Sequence, residues 1–149
     1  MTQLTEHFSL EELTFSQVAS RQGIDNKPTP EVVTNLTRLA TTLLEPARAL
    51  IDTPTHVDSG YRSPLVNAAV GGARDSAHMD GRAADTVFLG VPLQQAFDTL
   101  RATSLPFDQI IFECQAWIHL SIAPEGQEPR RQALTATGHP GAWHYELVT

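Results

Sequence analysis

"SAHMDGRAADTVF", residues 76–88, sets His78 and Asp85 seven positions apart, where a polar turn runs into an apolar segment. Gly81 stands between them, and a residue without Cβ allows a left-handed turn that lets both side chains converge. "RAADTVF" reads as a strand, which would hold the backbone of Asp85 firmly. Each residue alone is an ordinary turn residue. Together they offer an imidazole and a carboxylate, two ligand types that suit a divalent transition metal. A catalytic zinc takes three protein ligands and keeps a position for water, so a third ligand should lie far along the chain on a rigid element. His119, inside the apolar run "WIHLSI", is the best candidate, although a histidine among such neighbours is in isolation a packed core residue.

The segments around this stretch set the frame. "THVDSGYRS" reads as a strand ending at Gly60, and "PLVNAAVGG" as a short helix opened by Pro64 and closed by Gly71 and Gly72. "ARDSAHMDG" is a polar loop. "VPLQQAFDTLRAT" gathers Leu93, Ala96, Phe97 and Leu100 on one face and is a helix. "FDQIIFE" and "WIHLSI" are short β-rich runs joined by "CQA", a three-residue hairpin connection. Beyond Pro124, "RQALTA" and "WHYELV" read as edge strands. Towards the N-terminus, "FSLEELTFSQVASRQG" places Ser9 and Glu12 at capping-box spacing and ends at Gly23, which predicts one short helix. In "NKPTPEVVTNLTRLATTLLEPARALID", Thr29 is an N-cap and Pro30 suits the first helical position. Val32, Leu36, Leu39, Leu43, Ala47 and Leu50 follow a helical period, so this is the principal amphipathic helix, with a kink expected at Pro46. Helices first, then strands with helices between them, predict a single α+β domain over residues 1–149, a small antiparallel sheet with helices packed on it.

Bulk composition narrows the function classes. The chain has 149 residues, 41% apolar and 18% charged, as in an ordinary globular protein. A net charge of −7 argues against a nucleic-acid or anionic-membrane surface. Cys114 is the lone cysteine, so no internal disulfide is possible and no role is assigned to it. No apolar run approaches the roughly 18 residues that span a membrane. The start "MTQLTEHFSLEELTF" has no basic segment followed by an apolar core. The expectation is a protein cytoplasmic on synthesis, without a signal peptide, and a monomer.

The larger pattern resembles a known family. "SGYRS", then "SAHMDGRAAD", then "WIHLS" are similar to motifs of the zinc D-alanyl-D-alanine carboxypeptidases and the related phage and bacterial peptidoglycan peptidases. Their core signature, Ser-x-His-x-x-Gly-x-Ala-x-Asp, is met by Ser76, His78, Gly81, Ala83 and Asp85. The resemblance extends over most of residues 8 to 122. It implies one zinc ion held by His78, Asp85 and His119. It also implies that Arg62 meets a substrate carboxylate or polarises the scissile carbonyl, and that Ser76 hydrogen-bonds near the site. The implied substrate is a peptide of the bacterial cell wall, cut at a bond involving D-alanine. The enzyme would act on the wall after release or as a virion component.

The general base needs separate treatment, because better-known members place a glutamate three residues before the last histidine. Here that position is Ala116, and Trp117 stands where some relatives carry a second histidine. Glu113 is the alternative. If "CQA" is a three-residue loop, Glu113 pairs with Trp117 and Ile111 with His119, so Glu113 and His119 share a sheet face about 7–8 Å apart on the diagonal. A loop of two or four residues would send Glu113 to the opposite face. Asp80, Asp58 and His144 are weaker alternatives, and His7, His56 and His139 are expected on the surface. The missing glutamate also keeps open a non-catalytic zinc module of the same scaffold, as in the signalling domains of hedgehog proteins, which are similar in fold.

Overall fold

Capping chemistry sets the helices of the N-terminal third. The computed structural model describes residues 2–148. Ser9 Oγ accepts from the Glu12 amide at 3.1 Å and opens α1 (Leu10–Thr14). The one helix expected over this segment is two. Phe15 is extended, and Ser16 starts α2 (Gln17–Gln22) by accepting from the Ala19 amide at 3.1 Å. A second good cap inside the segment gives the backbone a place to stop and restart. Thr29 and Pro30 begin α3 (Pro30–Leu39) as the sequence predicts. Pro46 does not end the long helix. A π-helical turn at Ala40–Leu44 precedes α4 (Glu45–Ile51), so the proline falls in the first turn of a new α-segment, where a missing N–H is tolerated.

Six strands form one sheet: β1 (Thr55–Ser59), β2 (Ala83–Phe88), β3 (Gln109–Glu113), β4 (Trp117–Ser121), β5 (Gln132–His139) and β6 (Ala142–Leu147), in the order β1-β2-β4-β3-β5-β6. Between β1 and β2 lie α5 (Pro64–Ala69) and a 3-10 turn (Ala77–Asp80), and α6 (Leu93–Arg101) joins β2 to β3. The sheet is mostly antiparallel. One pair departs from the expected pattern: β5 runs parallel to β3. It is also not an edge strand, since β6 covers it and the two edges are β1 and β6. The reason is where the chain leaves β4. Ser121 lies opposite Gln109, and so does the entry point Gln132. A return at the same end of the sheet must run antiparallel to β4, and therefore parallel to the intervening β3.

Alternation along the strands separates two faces. Ala84, Phe88, Ile110, Phe112, Ile118 and Leu120 pack against Leu36, Leu39, Leu43, Phe97 and Leu100 of the helices in the main core. Ile111, Leu134 and Ala136 form a small apolar patch on the other face. That second face carries Asp85, His119 and Glu113. No helix among the described residues is long and apolar enough to cross a membrane.

The parallel entry is held by Asp108. Its buried carboxylate accepts from the Arg130 amide at 2.8 Å, from Arg130 Nε and, through the other oxygen, from Arg130 Nη2 at 2.7 Å. Its backbone donates to Ser121 and accepts from Gln132. Burial works to raise the carboxyl, but the Arg130 bonds outweigh it and hold the group below the usual carboxylate range. A depressed folded-state pKa gives stability that is present above the unfolded value of about 3.9 and is lost as pH falls through the folded value. Arg130 is half exposed, so Asp108→Asn should cost about 1–2 kcal/mol in urea unfolding at pH 7, the lower range for charged hydrogen bonds. The gap between the variant and the parent should narrow below about pH 4.

Candidate metal centre and cleft

Strand register builds the site from residues distant in sequence. Asp85 on β2 pairs directly with His119 on β4, and His119 pairs with Ile111 on β3. Opposed residues share a face, so the carboxylate and the imidazole stand side by side. The 3-10 turn delivers His78: Ser76 Oγ accepts from the His78 amide at 3.2 Å, and Gly81 closes the turn at φ 75°. His78 Nδ1 lies 2.7 Å from the Gly60 carbonyl. A carbonyl only accepts, so Nδ1 holds the proton and Nε2 turns its lone pair to the site. Gly60 reaches this position by close backbone approach, since a Cβ there would lie 2.2 Å from the Leu13 carbonyl oxygen.

His78 Nε2, His119 Nδ1 and Asp85 Oδ1 form a triangle. The ring nitrogens are 3.2 Å apart, and the carboxylate oxygen is 3.2 Å from His78 and 3.1 Å from His119. All three residues are buried. Two imidazole nitrogens that close repel unless a proton or cation separates them. Ligand atoms bonded to zinc at about 2.0–2.1 Å in tetrahedral geometry stand about 3.3 Å from one another, so the triangle fits such an ion. Its two nitrogens and one oxygen are donors zinc accepts, and three ligands leave a position open.

Electrostatics keep the donors in the binding state. Burial lowers the His78 pKa, opposed in part by Asp85, so the ring stays neutral. Burial works to raise Asp85, but the two imidazoles beside it win and hold its carboxyl well below the usual carboxylate range. Arg62 Nη2 donates to Asp85 Oδ2 at 3.2 Å, while Nε donates to Ser59 Oγ at 3.1 Å and Nη1 to Asn67 Oδ1 at 3.3 Å. A guanidinium has further N–H groups beyond these, and Arg62 lines the cleft.

Glu113 stands beside the triangle. The hairpin connects β3 to β4 through three residues, with Glu113 opposite Trp117 and Ile111 opposite His119, as the loop arithmetic predicts. Cys114 and Gln115, both at positive φ, make the turn. Glu113 Oε1 lies 3.6 Å from His119 Nδ1. Burial, then the charge of Asp85, push its carboxyl up to about 7, against smaller opposing effects of His119 and Arg62. Two neighbouring carboxylates thus have pKa values driven apart, the pattern that separates a permanent anion from a group able to trade protons.

These groups open on a cleft of about 740 Å³. Arg62, Ser76, His78, Asp85, Glu113 and His119 all line it. Asp58 lines it as well. It is the extra residue of a bulge, because Val57 pairs with Thr86 and Ser59 with Asp85. Asp80 does not join the cleft; it pairs with Arg82 at 2.9 Å. His144 is exposed, 3.1 Å from Glu146, on the face of β6 turned away from the cleft. His7, His56 and His139 are all exposed, as expected, His7 with Nδ1 2.7 Å from Glu45.

Sequence reasoning missed Ser59, Asn67, Trp143 and Tyr145. Asn67, a buried amide in the apolar helix "PLVNAAVGG", is the one with a visible signal, since a polar residue on a buried face needs partners. Its amide nitrogen donates to the Ala73 carbonyl while its oxygen accepts from Arg62.

No curated protein sequence matches the chain. A family model described as Peptidase M15 matches residues 6–121, which takes in His78, Asp85, His119, Glu113, Arg62 and Ser76. With the match covering most of its length and a buried His-Asp-His triangle inside the matched region, the chain belongs to the Peptidase M15 family.

Proposed function

We propose that this peptidase depends on one zinc ion and hydrolyses a peptide bond in the stem of bacterial peptidoglycan. The bond involves D-alanine, cut as a carboxypeptidase or as an endopeptidase of the endolysin kind. The substrate class rests on the motif resemblance. The observation that carries the catalytic reading is the Glu113 carboxylate, 3.6 Å from a ligand nitrogen and on the same sheet face as His119 and Asp85. A purely structural metal site has no use for a second, largely covered carboxylate at that distance, which weighs against a non-catalytic module.

His78, Asp85 and His119 would hold the ion. When bound it supplies Lewis acidity, lowering the pKa of water and polarising a carbonyl oxygen. Glu113 accepts a proton from the attacking water and returns it to the leaving amine nitrogen as the C–N bond breaks. Arg62 is anchored by its bond to Asp85 and has N–H groups left to meet the substrate's carboxylate or the oxygen that gains charge. Ser76 fixes the turn that aims His78.

Three outcomes test this reading. Glu113→Gln should lose roughly 10²–10⁴-fold in turnover of purified muropeptides while keeping its zinc, the range for a general acid–base group; a variant as active as the parent removes Glu113 from the chemistry. His119→Ala should lose both metal and activity, read by elemental analysis alongside the assay. Gly60→Ala should move the carbonyl that fixes the His78 tautomer and weaken zinc affinity about 10–100-fold, as for other groups that orient a ligand. Competition with a chelator measures that loss. Mass spectrometry of the digest separates the two cleavage modes: loss of one alanine marks a carboxypeptidase, and separation of cross-linked dimers an endopeptidase.

A further inference from the structure

The family match ends at Ser121, but the cleft does not. Leu134, Pro140, Trp143 and Tyr145 line it too, and all belong to the β5–β6 hairpin. Register places this hairpin beside the reacting groups. Glu113 pairs with Ala136, and Ala136 with Tyr145, so the three form one row across the sheet. Neighbouring strands lie about 4.8 Å apart, which puts the Tyr145 backbone about 10 Å from that of Glu113 with only a methyl between them. The side chains of Tyr145 and Glu113 together can span that distance, and both line the cleft. Burial, followed by the charges of Glu113 and Asp85, raises the phenol above its ordinary value, so the hydroxyl lies in the field of both carboxylates and remains a donor. Trp143 sits two residues earlier on the same strand face and also lines the cleft.

The tip of the hairpin is anchored. Pro140 packs on Gly71, just beyond α5, so closely that a Cβ at Gly71 would come within 2.6 Å of the proline Cβ. Gly71 also has φ +71°, a conformation L side chains rarely adopt. The hairpin therefore reaches from the sheet to the α5 turn next to Arg62 and its partner Asn67. The aromatic pair has surface left open: Tyr145 is 45% exposed and Trp143 partly so.

We propose that the β5–β6 hairpin is a substrate-binding wall of the cleft, with Trp143 and Tyr145 touching the bound peptide beside Glu113 and the Pro140–Gly71 contact holding the wall in place. The proposal rests on the peptidase reading above for what occupies the cleft. Flat aromatic faces take small methyl side chains at little entropic cost, and a phenol donates to a peptide carbonyl or a terminal carboxylate. Both suit a stem peptide rich in alanine.

The test uses calorimetric binding of a synthetic stem pentapeptide ending in D-alanyl-D-alanine to zinc-loaded Glu113→Gln protein, which does not consume it, and KM in the parent background. Tyr145→Ala and Trp143→Ala should each raise Kd and KM at least tenfold with unchanged zinc content. Gly71→Ala, which pushes the tip away, should weaken binding in the same direction. His144→Ala, on the opposite face of the same strand, should bind and turn over as the parent does. Parent-like affinity in both aromatic variants, with an active parent, overturns the wall and leaves the peptidase reading standing. A zinc-loaded parent that neither binds nor cleaves any stem peptide overturns the substrate reading and the wall with it.

Discussion

Asp85 and His119 face each other across the β2–β4 ladder, and the rest of the site is arranged around that pairing. A slip of one residue would turn either side chain into the core beneath, among Phe88, Phe112, Ile118 and Leu120, where an ionised carboxylate has no partner. Register is thus fixed from two directions at once. The helical face demands its apolar residues, and the opposite face then necessarily presents both polar groups side by side. His78 is not supplied by the ladder, since the positions beside the pair are Ser59 and Ile111. It comes instead from a short capped turn whose orientation depends on Ser76 and on the Gly60 carbonyl.

Placing these groups together creates an electrostatic problem that Arg62 resolves. Asp85 and Glu113 are both buried on the same face, and two anions there oppose each other. Arg62 donates to the far oxygen of Asp85 and is itself gripped by Ser59 and Asn67, so the positive charge is fixed beside the carboxylate that must stay ionised. Glu113 bears the remaining cost as a raised pKa. The strain between the two acids is therefore not spread evenly but divided by hydrogen bonding. One acid has direct partners on both oxygens, while the other has His119 only at 3.6 Å.

Local patterns were legible in the sequence where a short-range rule fixes a long-range fact. A three-residue connection determines the face of every residue in the β3–β4 hairpin, so the pairing of Ile111 with His119 could be counted before any coordinates existed. The turn at Gly81 and the strand after it were readable for the same reason. What stayed hidden depends on competition between distant groups. Whether Ser16 interrupts the first helix, and whether a π-helical turn precedes Pro46 in the long one, depends on packing against the core as well as on propensity. The parallel β3–β5 pair is invisible because nothing in "RQALTA" states which neighbour it will choose. Arg62 was readable as a candidate site residue, but not its hold on Asp85, since the bulge at Asp58 that lets Ser59 share the guanidinium has no sequence signature.

The same logic separates the chemistry from the choice of substrate. His78, Asp85, His119 and Glu113 lie on the central strands β2, β3 and β4 or on a turn packed against them, where register is determined on both faces and a substitution disturbs the core. The hairpin β5–β6 is different. Its last strand is an edge, most of its side chains are exposed, and its position over the cleft depends on the neighbouring strand β3 and on one contact at the tip. An edge element can exchange aromatic, polar or small residues without shifting the ligand triangle by a measurable distance. A fold built this way can keep the His-Asp-His triangle constant while the hairpin beside it varies, and the family match, which ends at Ser121 before the hairpin begins at Gln132, falls on the same division.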